Sequence, residues 1–559
     1  MSSLTRTPFN VERVMKTGAA VVLCLSLFAC SSGGGGDNPL SAAEACSQLS
    51  GFNIPGASMS LPTNGGAVTA TELVAASGTA PTTIGEYCKV SGAIYPVDSS
   101  APQIRFQVNL PTIWNNKSMM FGGGGYNGSI PAATGNAFLG PIDKPVPLGQ
   151  GYATFASDSG HQANAGGSRD ASFGLNDEAI TNYVGDALKK TRDAAVFLIN
   201  KRYGQAPART YFHGQSTGGR EAFAVIQRWP QDFDGAVSIY PAWNGASLDL
   251  QFGRLVRAFA APGAYPNENK KKLLYDASIA ACDGLDGIQD GLISNVSACN
   301  FKPETLRCAG GADTGDTCLS DPQIAAYNAY NTEIRLSYPL GSGETQYPGF
   351  NVFAGADTRG VLNLGTTPPV NSPGNPSILT QPYWGAFWEQ WIRFFVTRDP
   401  GYNALTFDPE NPGVYQQRVA FLTKIQDVNN TDFSAFRNKG GKLLIMHGTA
   451  DALVSPRATD IFYQRMVTTM GAQNVSSFAR YYVVPGQGHV FGAFATAWDS
   501  VKALEDWVER GVAPPAQIVS DTNAATRGRT RPLCEFPSWP KYGGTGDVNL
   551  AASFTCATQ

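Results

Sequence analysis

The sequence of 559 residues has few charged side chains and little imbalance between acids and bases. Asp, Glu, Lys and Arg make up 15% of it, and the formal net charge is −3. No run of Lys or Arg could follow a phosphate backbone, so a nucleic acid is not expected as a partner. Hydrophobic residues amount to 43%, which excludes a largely disordered protein and allows a sizeable core.

A hydrophobic run long enough to remain across a bilayer is missing near the N-terminus. The apolar stretch Ala19–Ala29 is too short for that, and residues 1–30 have the pattern of a signal peptide. The letters LFAC at 27–30 resemble a bacterial lipobox, which predicts lipidation of Cys30. The glycine-rich residues 31–40 would form a flexible tether. We therefore expect an exported protein whose only membrane contact is a lipid anchor at the outer membrane or cell surface, or otherwise a periplasmic or secreted one.

Cysteine pairs with Cys-x-x-Cys spacing are also absent, which argues against a structural zinc site. Eight cysteines follow Cys30, and an even number in an exported chain predicts disulfide bonds. Eight cysteines allow about 105 pairings, so the sequence alone does not fix the connectivity. We favour pairing between sequence neighbours, because each bond then closes a local loop. The predicted pairs are Cys46–Cys88, Cys282–Cys299, Cys308–Cys318 and Cys534–Cys556.

Short apolar segments alternate with helical stretches from about residue 84 to 240, and the pattern resumes near Lys442. This alternation predicts an α/β fold with a mostly parallel sheet covered on both faces. Helices are predicted over 187–201 and from Phe494 to Val508, where Gly511 ends the second one. The predicted strands are Ile104–Leu110, Lys117–Phe121, Ala153–Ala156, Arg209–His213, Gly235–Ile239, Lys442–Met446 and Arg480–Val484.

The segment 243–435, called the insert below, has a different composition and is predicted to be a lid domain. Residues 41–242 and 436–559 would then form the catalytic domain. The insert holds four cysteines, an Asp- and Gly-rich loop, many prolines and an aromatic cluster with helical spacing. Such a cluster is more often core than pocket, although part of it could face an aromatic ligand. The cluster comprises Tyr383, Trp384, Phe387, Trp388, Trp391, Phe394 and Phe395.

A nucleophile motif stands between a predicted strand and a predicted helix. The residues 214–218 read Gly-Gln-Ser-Thr-Gly, the G-x-S-x-G pattern in which a strand-turn-helix exposes the serine of an α/β-hydrolase. Ser216 is therefore the predicted nucleophile. In this fold the acid and then the histidine follow the serine in the chain. Of the four histidines, His489 alone comes late enough after a strand and an acid.

The acid that orients His489 should follow the preceding strand, where Asp451 lies. Asp158 is the competitor, but it precedes the nucleophile. The oxyanion of an ester intermediate needs amide donors, for which we choose Thr217 and, in the glycine-rich loop, Gly125, with Gly124 as the second choice.

These motifs together resemble the tannase and feruloyl esterase family, which also includes a mono(2-hydroxyethyl) terephthalate hydrolase. The resemblance covers roughly residues 40 to 559. It implies an α/β-hydrolase fold with an inserted lid, hydrolysis of esters of bulky aromatic acids, and a structural calcium. The motifs that carry it are FGGGGYNGS at 121–129, YFHGQSTGGREA at 211–222, CDGLDGIQDGLISN at 282–295, MHGTADALVSP at 446–456, VPGQGHV at 484–490 and TRPLCEFP at 530–537.

The calcium that the resemblance implies has a matching set of oxygen donors in one short loop. Three carboxylates would repel each other without a cation, and two main-chain carbonyls could complete the coordination. The ligands would be Asp283, Asp286 and Asp290 with the carbonyls of Ile288 and Leu292.

The substrate we expect is a small aromatic ester of the feruloyl or galloyl type, with a terephthalate monoester as the second choice. A terephthalate monoester would need an arginine for its free carboxylate, and Arg393 and Arg398 are the candidates in the insert. The other class of function is a lipoprotein that binds a ligand without turnover. The family usually joins the catalytic loops by a disulfide, but Gln215 and Val490 stand at those positions here. Packing of Val490 and Phe491 should hold the His489 loop instead.

Overall fold

The computed structural model describes residues 40–372 and 380–558 of the chain. The predicted leader, the lipidation site at Cys30 and the tether up to residue 39 lie outside the described residues. From Ser41 onward the chain forms one compact unit. Within the described ranges, no helix is long and apolar enough to cross a membrane.

Each of the seven predicted strands is present, with ends that agree to within two residues, and ten further strands were not predicted. In chain order the strands are β1 (Asn53–Ile54), β2 (Gly66–Val74), β3 (Tyr87–Ile94), β4 (Ile104–Pro111), β5 (Lys117–Phe121), β6 (Ala153–Ser157), β7 (Arg209–Gln215), β8 (Gly235–Ile239), β9 (Ile334–Arg335), β10 (Gln346–Tyr347), β11 (Lys442–Gly448), β12 (Ala479–Val484), β13 (Thr496–Ala497), β14 (Gln517–Asp521), β15 (Thr530–Glu535), β16 (Trp539–Tyr542) and β17 (Phe554–Ala557).

Thirteen of these strands form one sheet in the order β1-β2-β3-β4-β6-β5-β7-β8-β11-β12-β15-β14-β13. The centre, from β6 to β12, is parallel, and the strands on either side of it pair antiparallel. Because β5, β7, β8, β11 and β12 run the same way, their carboxyl ends meet at one edge. The loops that follow β5, β7, β11 and β12 carry the predicted catalytic and oxyanion-hole residues.

Helices cover both faces of the sheet, as the alternating pattern predicts. In chain order they are α1 (Ala42–Ser47), α2 (Asp177–Thr181), α3 (Ala187–Tyr203), α4 (Thr217–Arg228), α5 (Gly245–Ala260), α6 (Glu268–Cys282), α7 (Asp321–Asn331), α8 (Tyr383–Gln390), α9 (Gln416–Gln426), α10 (Ser434–Asn438), α11 (Pro456–Met470), α12 (Ala472–Ser476) and α13 (Ser500–Arg510).

Side chains of the central strands alternate between two hydrophobic cores, one on each face. Along β11, Leu443 and Ile445 join one core while Leu444 and Met446 join the other. One face is covered by α3 and α4, and the other by the amphipathic α13.

The predicted start of the helix after His489 was wrong. Residues 496–497 form the edge strand β13, and the helix begins only at Ser500. The Asp499 side chain accepts a hydrogen bond from the Lys502 amide, which caps the helix there. Gly511 ends it in a left-handed conformation, at the predicted residue.

Between β8 and β11 the chain leaves the main sheet and forms α5 to α10 with the small β9–β10 ribbon. The part of the chain that the structure describes contains four disulfide bonds, which join the sequence neighbours Cys46–Cys88, Cys282–Cys299, Cys308–Cys318 and Cys534–Cys556. Two of these bonds lie in the insert.

Candidate active site

Ser216 stands in the tight turn between β7 and α4. Its backbone has φ 58° and ψ −121°, a strained conformation for a residue with a side chain. The glycines around it permit close packing. A Cβ atom on Gly214 would lie 2.2 Å from the Gly218 oxygen, and one on Gly218 would lie 2.7 Å from the Gly123 oxygen. The turn therefore requires the glycines of the motif and holds the serine hydroxyl at the carboxyl edge of the sheet.

Three predicted residues from different loops form one hydrogen-bonded chain. His489 Nε2 lies 3.1 Å from Ser216 Oγ, and His489 Nδ1 lies 2.7 Å from Asp451 Oδ2. Because an ionised carboxylate can only accept, Nδ1 carries the ring proton and Nε2 is left to accept from the serine hydroxyl. The arrangement can deprotonate Ser216 and stabilise the imidazolium that forms.

Asp451 is fully buried and bonded through both oxygens. Its Oδ1 accepts from the amides of Leu453 and Val454 at 2.8 Å each. Burial favours the neutral acid, yet the pKa of Asp451 is lowered from its ordinary value, because His489 and His447 stabilise the anion by charge and hydrogen bonding. Asp451 is therefore ionised beside His489.

His447 contacts the same carboxyl oxygen of Asp451 as His489 does. Its Nε2 is 3.1 Å from the Val454 oxygen and 3.3 Å from Asp451 Oδ2, and its Nδ1 is 2.8 Å from Thr459 Oγ1. A carbonyl only accepts, so Nε2 carries the proton and Nδ1 accepts from the threonine. This fits the supporting role that its position before Asp451 indicates.

The remaining histidines and the competing acid lie elsewhere. Buried His213 contacts Ser500 Oγ at 3.3 Å, and burial lowers its pKa to about 3. His161 stacks on Phe173 with ring centres 3.7 Å apart, and burial lowers its pKa to about 4. Asp158 accepts bonds from main-chain amides and a glutamine, none of them in the chain around Ser216.

The glycine-rich loop after β5 lies beside Ser216. Gly124 and Gly125 line the same groove as the serine, and Gly125 has a left-handed φ of 57°. Among the described residues, the amides of Gly124, Gly125 and Thr217 have no hydrogen-bond acceptor. Free amides at this position, one of them at the start of α4, can receive a developing oxyanion.

A buried glutamate that the sequence analysis did not single out holds this loop. Glu221 Oε2 accepts from the Gly123 amide at 3.0 Å, and its Oε1 accepts from Asn127 Nδ2 at 2.6 Å. Burial raises the pKa of Glu221. The sequence does contain a signal for this contact: Glu221 is a charged residue on the inward face of α4, about one turn after the nucleophile.

A groove of about 350 Å³ contains both Ser216 and His489. From the aromatic cluster, Tyr383 and Phe387 line it. The rest belongs mainly to the core: Trp384, Trp388, Trp391 and Phe395 are fully buried. Most of the cluster is thus core, as its spacing indicated.

The two arginines considered for a substrate carboxylate are engaged in other contacts. Arg393 is fully buried, where it pairs with Glu389 and donates to the carbonyls of Ser372 and Tyr402. Arg398 pairs with Asp177 near the surface. Neither residue is part of the groove lining.

The acidic loop of the insert is compact and mostly self-bonded. Asp283 accepts from the amides of Asp290, Gly291 and Leu292, while Asp290 also pairs with Arg531. In the part of the chain that the structure describes, no three His, Cys, Asp or Glu side chains are grouped so that they could hold a metal ion.

Asp286 is the acidic residue of this loop with an unsatisfied carboxylate oxygen. Its Oδ2 is buried and has no hydrogen-bond partner among the described residues. Burial, together with the charges of Asp290 and Asp283, raises the pKa of Asp286 to about 6. An orphaned carboxylate oxygen is the kind of donor that a hard cation such as calcium binds.

The loop that carries His489 is held mainly by hydrogen bonds. Gln487 accepts from the Ala450 amide at 3.1 Å through its main chain and from the Thr496 amide at 2.8 Å through its side chain. The expected packing of Phe491 was wrong, because its side chain is 78% exposed. Buried Gln487, rather than the aromatic residue, fixes this loop.

Comparisons with known proteins agree with this geometry. Residues 88–557 match the sequence profile described as "Tannase and feruloyl esterase". An uncharacterised esterase of Agrobacterium fabrum is 41% identical, covering 93% of this chain and 94% of the relative. The mono(2-hydroxyethyl) terephthalate hydrolase of Piscinibacter sakaiensis is 32% identical, with 93% and 92% covered.

Solved structures share the fold. Feruloyl esterase B of Aspergillus oryzae superposes with a TM-score of 0.72 at 24% identity, covering 89% of this chain and 98% of the other. Tannin acyl hydrolase of Aspergillus niger gives a TM-score of 0.67 at 20% identity, with 92% and 95% covered. At these identities the likeness concerns the fold, which is the α/β-hydrolase class.

Proposed function

Because the chain belongs to the tannase and feruloyl esterase family and is therefore a carboxylic ester hydrolase, we propose that it acts on aromatic acid esters of the feruloyl or galloyl type through Ser216, His489 and Asp451. The observation that supports these roles is the hydrogen-bonded chain from Ser216 Oγ through His489 to Asp451. The order of the three residues in the sequence is also that of α/β-hydrolases.

In the acylation step, Ser216 Oγ attacks the ester carbonyl carbon while its proton passes to His489 Nε2. The carbonyl oxygen becomes an oxyanion, which the amides of Thr217 and Gly125 receive. Collapse breaks the bond to the alcohol oxygen, and His489 gives the proton to that oxygen. Water, deprotonated by His489, then releases the acid from Ser216 by the same route.

The test of this proposal is labelling with a fluorophosphonate probe, which reacts with an activated serine. We expect labelling of the folded protein at Ser216 and its loss in Ser216→Ala. Folded protein that stays unlabelled would favour the other class of function, a lipoprotein that binds its ligand without turnover.

Two kinds of acyl group remain candidates for the substrate. The relative from Piscinibacter sakaiensis is named for a terephthalate monoester, which keeps that ester as the second candidate. Parallel assays on feruloyl, galloyl and terephthaloyl esters would rank them. An arginine beside the groove is what a terephthalate monoester would need, and Arg393 and Arg398 do not line it.

We also propose that a structural calcium binds the loop of Asp283, Asp286 and Asp290, with the carbonyls of Ile288 and Leu292. The orphaned Asp286 oxygen supports this assignment. When bound, calcium would neutralise the carboxylates of the loop. It would stabilise the insert and take no part in ester cleavage.

We propose further that the protein is exported and that Cys30 is lipidated. Detergent-phase partitioning of the protein expressed in a bacterial host, compared with Cys30→Ala, tests it. We expect the wild type in the detergent phase and the variant in the aqueous phase; equal partitioning would contradict lipidation.

A further inference from the structure

Tyr240 directly follows β8, the strand that lies between the nucleophile strand β7 and the acid strand β11 in the sheet. Its φ is 31°, which is an unusual backbone conformation for a residue with a bulky side chain. Such a conformation persists only where the surrounding structure fixes it, and it is common at functional sites. The contacts of Tyr240 therefore have to account for it.

Main-chain hydrogen bonds on both sides hold the turn at Tyr240. Its amide donates to the Met446 oxygen of β11 at 2.7 Å. Toward β7, the Ser216 amide donates to the Ile239 oxygen at 3.0 Å, and the Ala242 amide donates to the Ser216 oxygen at 3.0 Å. The turn after β8 is thus bonded both to the nucleophile turn and to the strand that leads to the acid.

The side chain of Tyr240 lies against the candidate general base. The ring centres of Tyr240 and His489 are 4.4 Å apart, and the angle between the ring planes is 42°. Tyr240 is 1% exposed, and it lines the groove that contains Ser216 and His489. The strained turn therefore places a buried aromatic ring against the imidazole.

The separation of these two rings indicates how they meet. T-shaped ring pairs among the described residues have their centres at least 5.0 Å apart, as in Tyr330–Phe350. Phe138, which meets Tyr240 edge to face, has its ring centre 5.6 Å away. At 4.4 Å, the rings of Tyr240 and His489 overlap by their faces, at a tilt, rather than edge to face.

This contact favours the charged form of the histidine. His489 becomes an imidazolium when it takes the proton of Ser216, and again when it takes the proton of the hydrolytic water. The face of an aromatic ring attracts a cation that lies within about 6 Å of the ring centre, and the attraction is larger where water is excluded. The neutral imidazole of the resting enzyme gains less, so the contact stabilises the transition state more than the ground state.

The ring of Tyr240, rather than its hydroxyl, provides this contact. The hydroxyl oxygen is buried and has no hydrogen-bond partner among the described residues. Burial raises the pKa of Tyr240 well above its usual range, and the charge of Asp451 adds to the shift, so the side chain is a neutral phenol. A phenylalanine would therefore keep the contact and would remove an unsatisfied polar group.

We propose that Tyr240 is a positioning residue for His489, because its ring keeps the imidazole in place between Ser216 and Asp451 and stabilises the imidazolium that forms during catalysis. The inference rests on the proposed function, since it requires His489 as the base. Tyr240 itself exchanges no proton with the substrate.

The test measures hydrolysis of 4-nitrophenyl acetate, whose small acetyl group needs no aromatic acyl site. Tyr240→Leu should lower kcat by about three- to tenfold with little change in KM, because the imidazolium forms only during the reaction. Tyr240→Phe keeps the ring and should restore kcat. Tyr152→Leu is the matched control, since Tyr152 is also 1% exposed, belongs to the same core and has an unpartnered hydroxyl among the described residues. It should lower the melting temperature without lowering kcat.

The same substitution in a His489→Ala background separates support of the imidazole from a wider structural role. The residual activity of a triad variant is still about a thousandfold above that of water, so it can be measured. Tyr240→Leu should leave this residual rate unchanged, because the contact that it removes is already absent.

Three results would overturn the inference. They are an equal loss from Tyr240→Leu in both backgrounds, a loss in Tyr240→Phe as large as in Tyr240→Leu, and a loss of kcat in Tyr152→Leu as large as in Tyr240→Leu. Hydrolysis by His489→Ala at the rate of the wild type would instead contradict the proposed function, so the two failures can be distinguished.

Discussion

The two parts of the molecule that meet at the site, the edge of the main sheet and the insert, are built in different ways. Ser216, Asp451 and His489 each follow a sheet strand by one to five residues. Asp249 and Phe387, which line a small cavity beside Ser216, come from α5 and α8, which pack together through tertiary contacts. The positions of the candidate catalytic residues therefore depend on local turns, and the small cavity beside Ser216 depends on packing over long stretches of chain.

Removal of the nucleophile should have the largest effect and should leave the fold intact. In Ser216→Ala we expect hydrolysis to fall by about a thousandfold or more, because a triad member supplies chemistry and little packing. The melting temperature should change little. Retained hydrolysis would mean that another residue is the nucleophile. The assignment of the chemistry to the turn after β7 would then be wrong.

This division also explains what the sequence could predict. A strand followed by a motif identifies a position on the sheet edge, so local pattern and chain order predicted β7, β11 and β12 and the three residues that the structure brings into contact there. Asp249 has no such pattern, because its hydrogen bond with Tyr126 joins residues that are distant in the chain. The exposure of Phe491 was mispredicted for a similar reason, since the buried side chain of Gln487 occupies the supporting position.

In the insert, the core should be more sensitive than the surface. Trp388 is fully buried, donates to the Ala404 carbonyl at 3.1 Å and packs on Gly253. We expect Trp388→Ala to lower the free energy of unfolding by about 3–5 kcal/mol, as other large-to-small core changes do. Chemical denaturation measures this loss.

The control is Phe421→Ala on α9 of the same insert, where the side chain is 47% exposed and little change is expected. Because the chain from Ser41 is one compact unit, Trp388→Ala should shift a single transition. A new transition at lower denaturant, with the rest unaffected, would mean that the insert unfolds on its own.

Calcium should stabilise the protein in a pH-dependent way. The pKa of Asp286 in the fold, about 6, is above the ordinary 3.8, so the folded state favours the protonated acid. Without calcium, that contribution is present below about pH 4 and is lost as the pH rises through about 6. Bound calcium favours the ionised form instead, and a hundredfold excess over Kd contributes about 2.7 kcal/mol.

The difference in melting temperature between calcium-loaded and chelated protein should therefore be larger at pH 7.5 than at pH 5. Asp286→Asn is the control, and it should weaken both the calcium effect and its pH dependence. Equal melting temperatures at pH 7.5, after metal analysis has verified removal, would exclude the site.

The smallest expected effect concerns the sheet edge itself, where none of the disulfide bonds among the described residues joins the loops of Ser216 and His489. Gln215 and Val490 both line the groove, one before the nucleophile and one after the histidine. If the two loops are as close as the Ser216–His489 contact implies, their Cα atoms lie within about 4.4–6.8 Å, the range of a disulfide. Gln215→Cys with Val490→Cys should then form a bond under oxidising conditions and add about 0.5–2 kcal/mol of stability. Thiol titration measures the bond, and the double serine variant serves as the unbridged reference. Two free thiols that persist after oxidation would show that the loops are farther apart than the hydrogen-bonded chain requires.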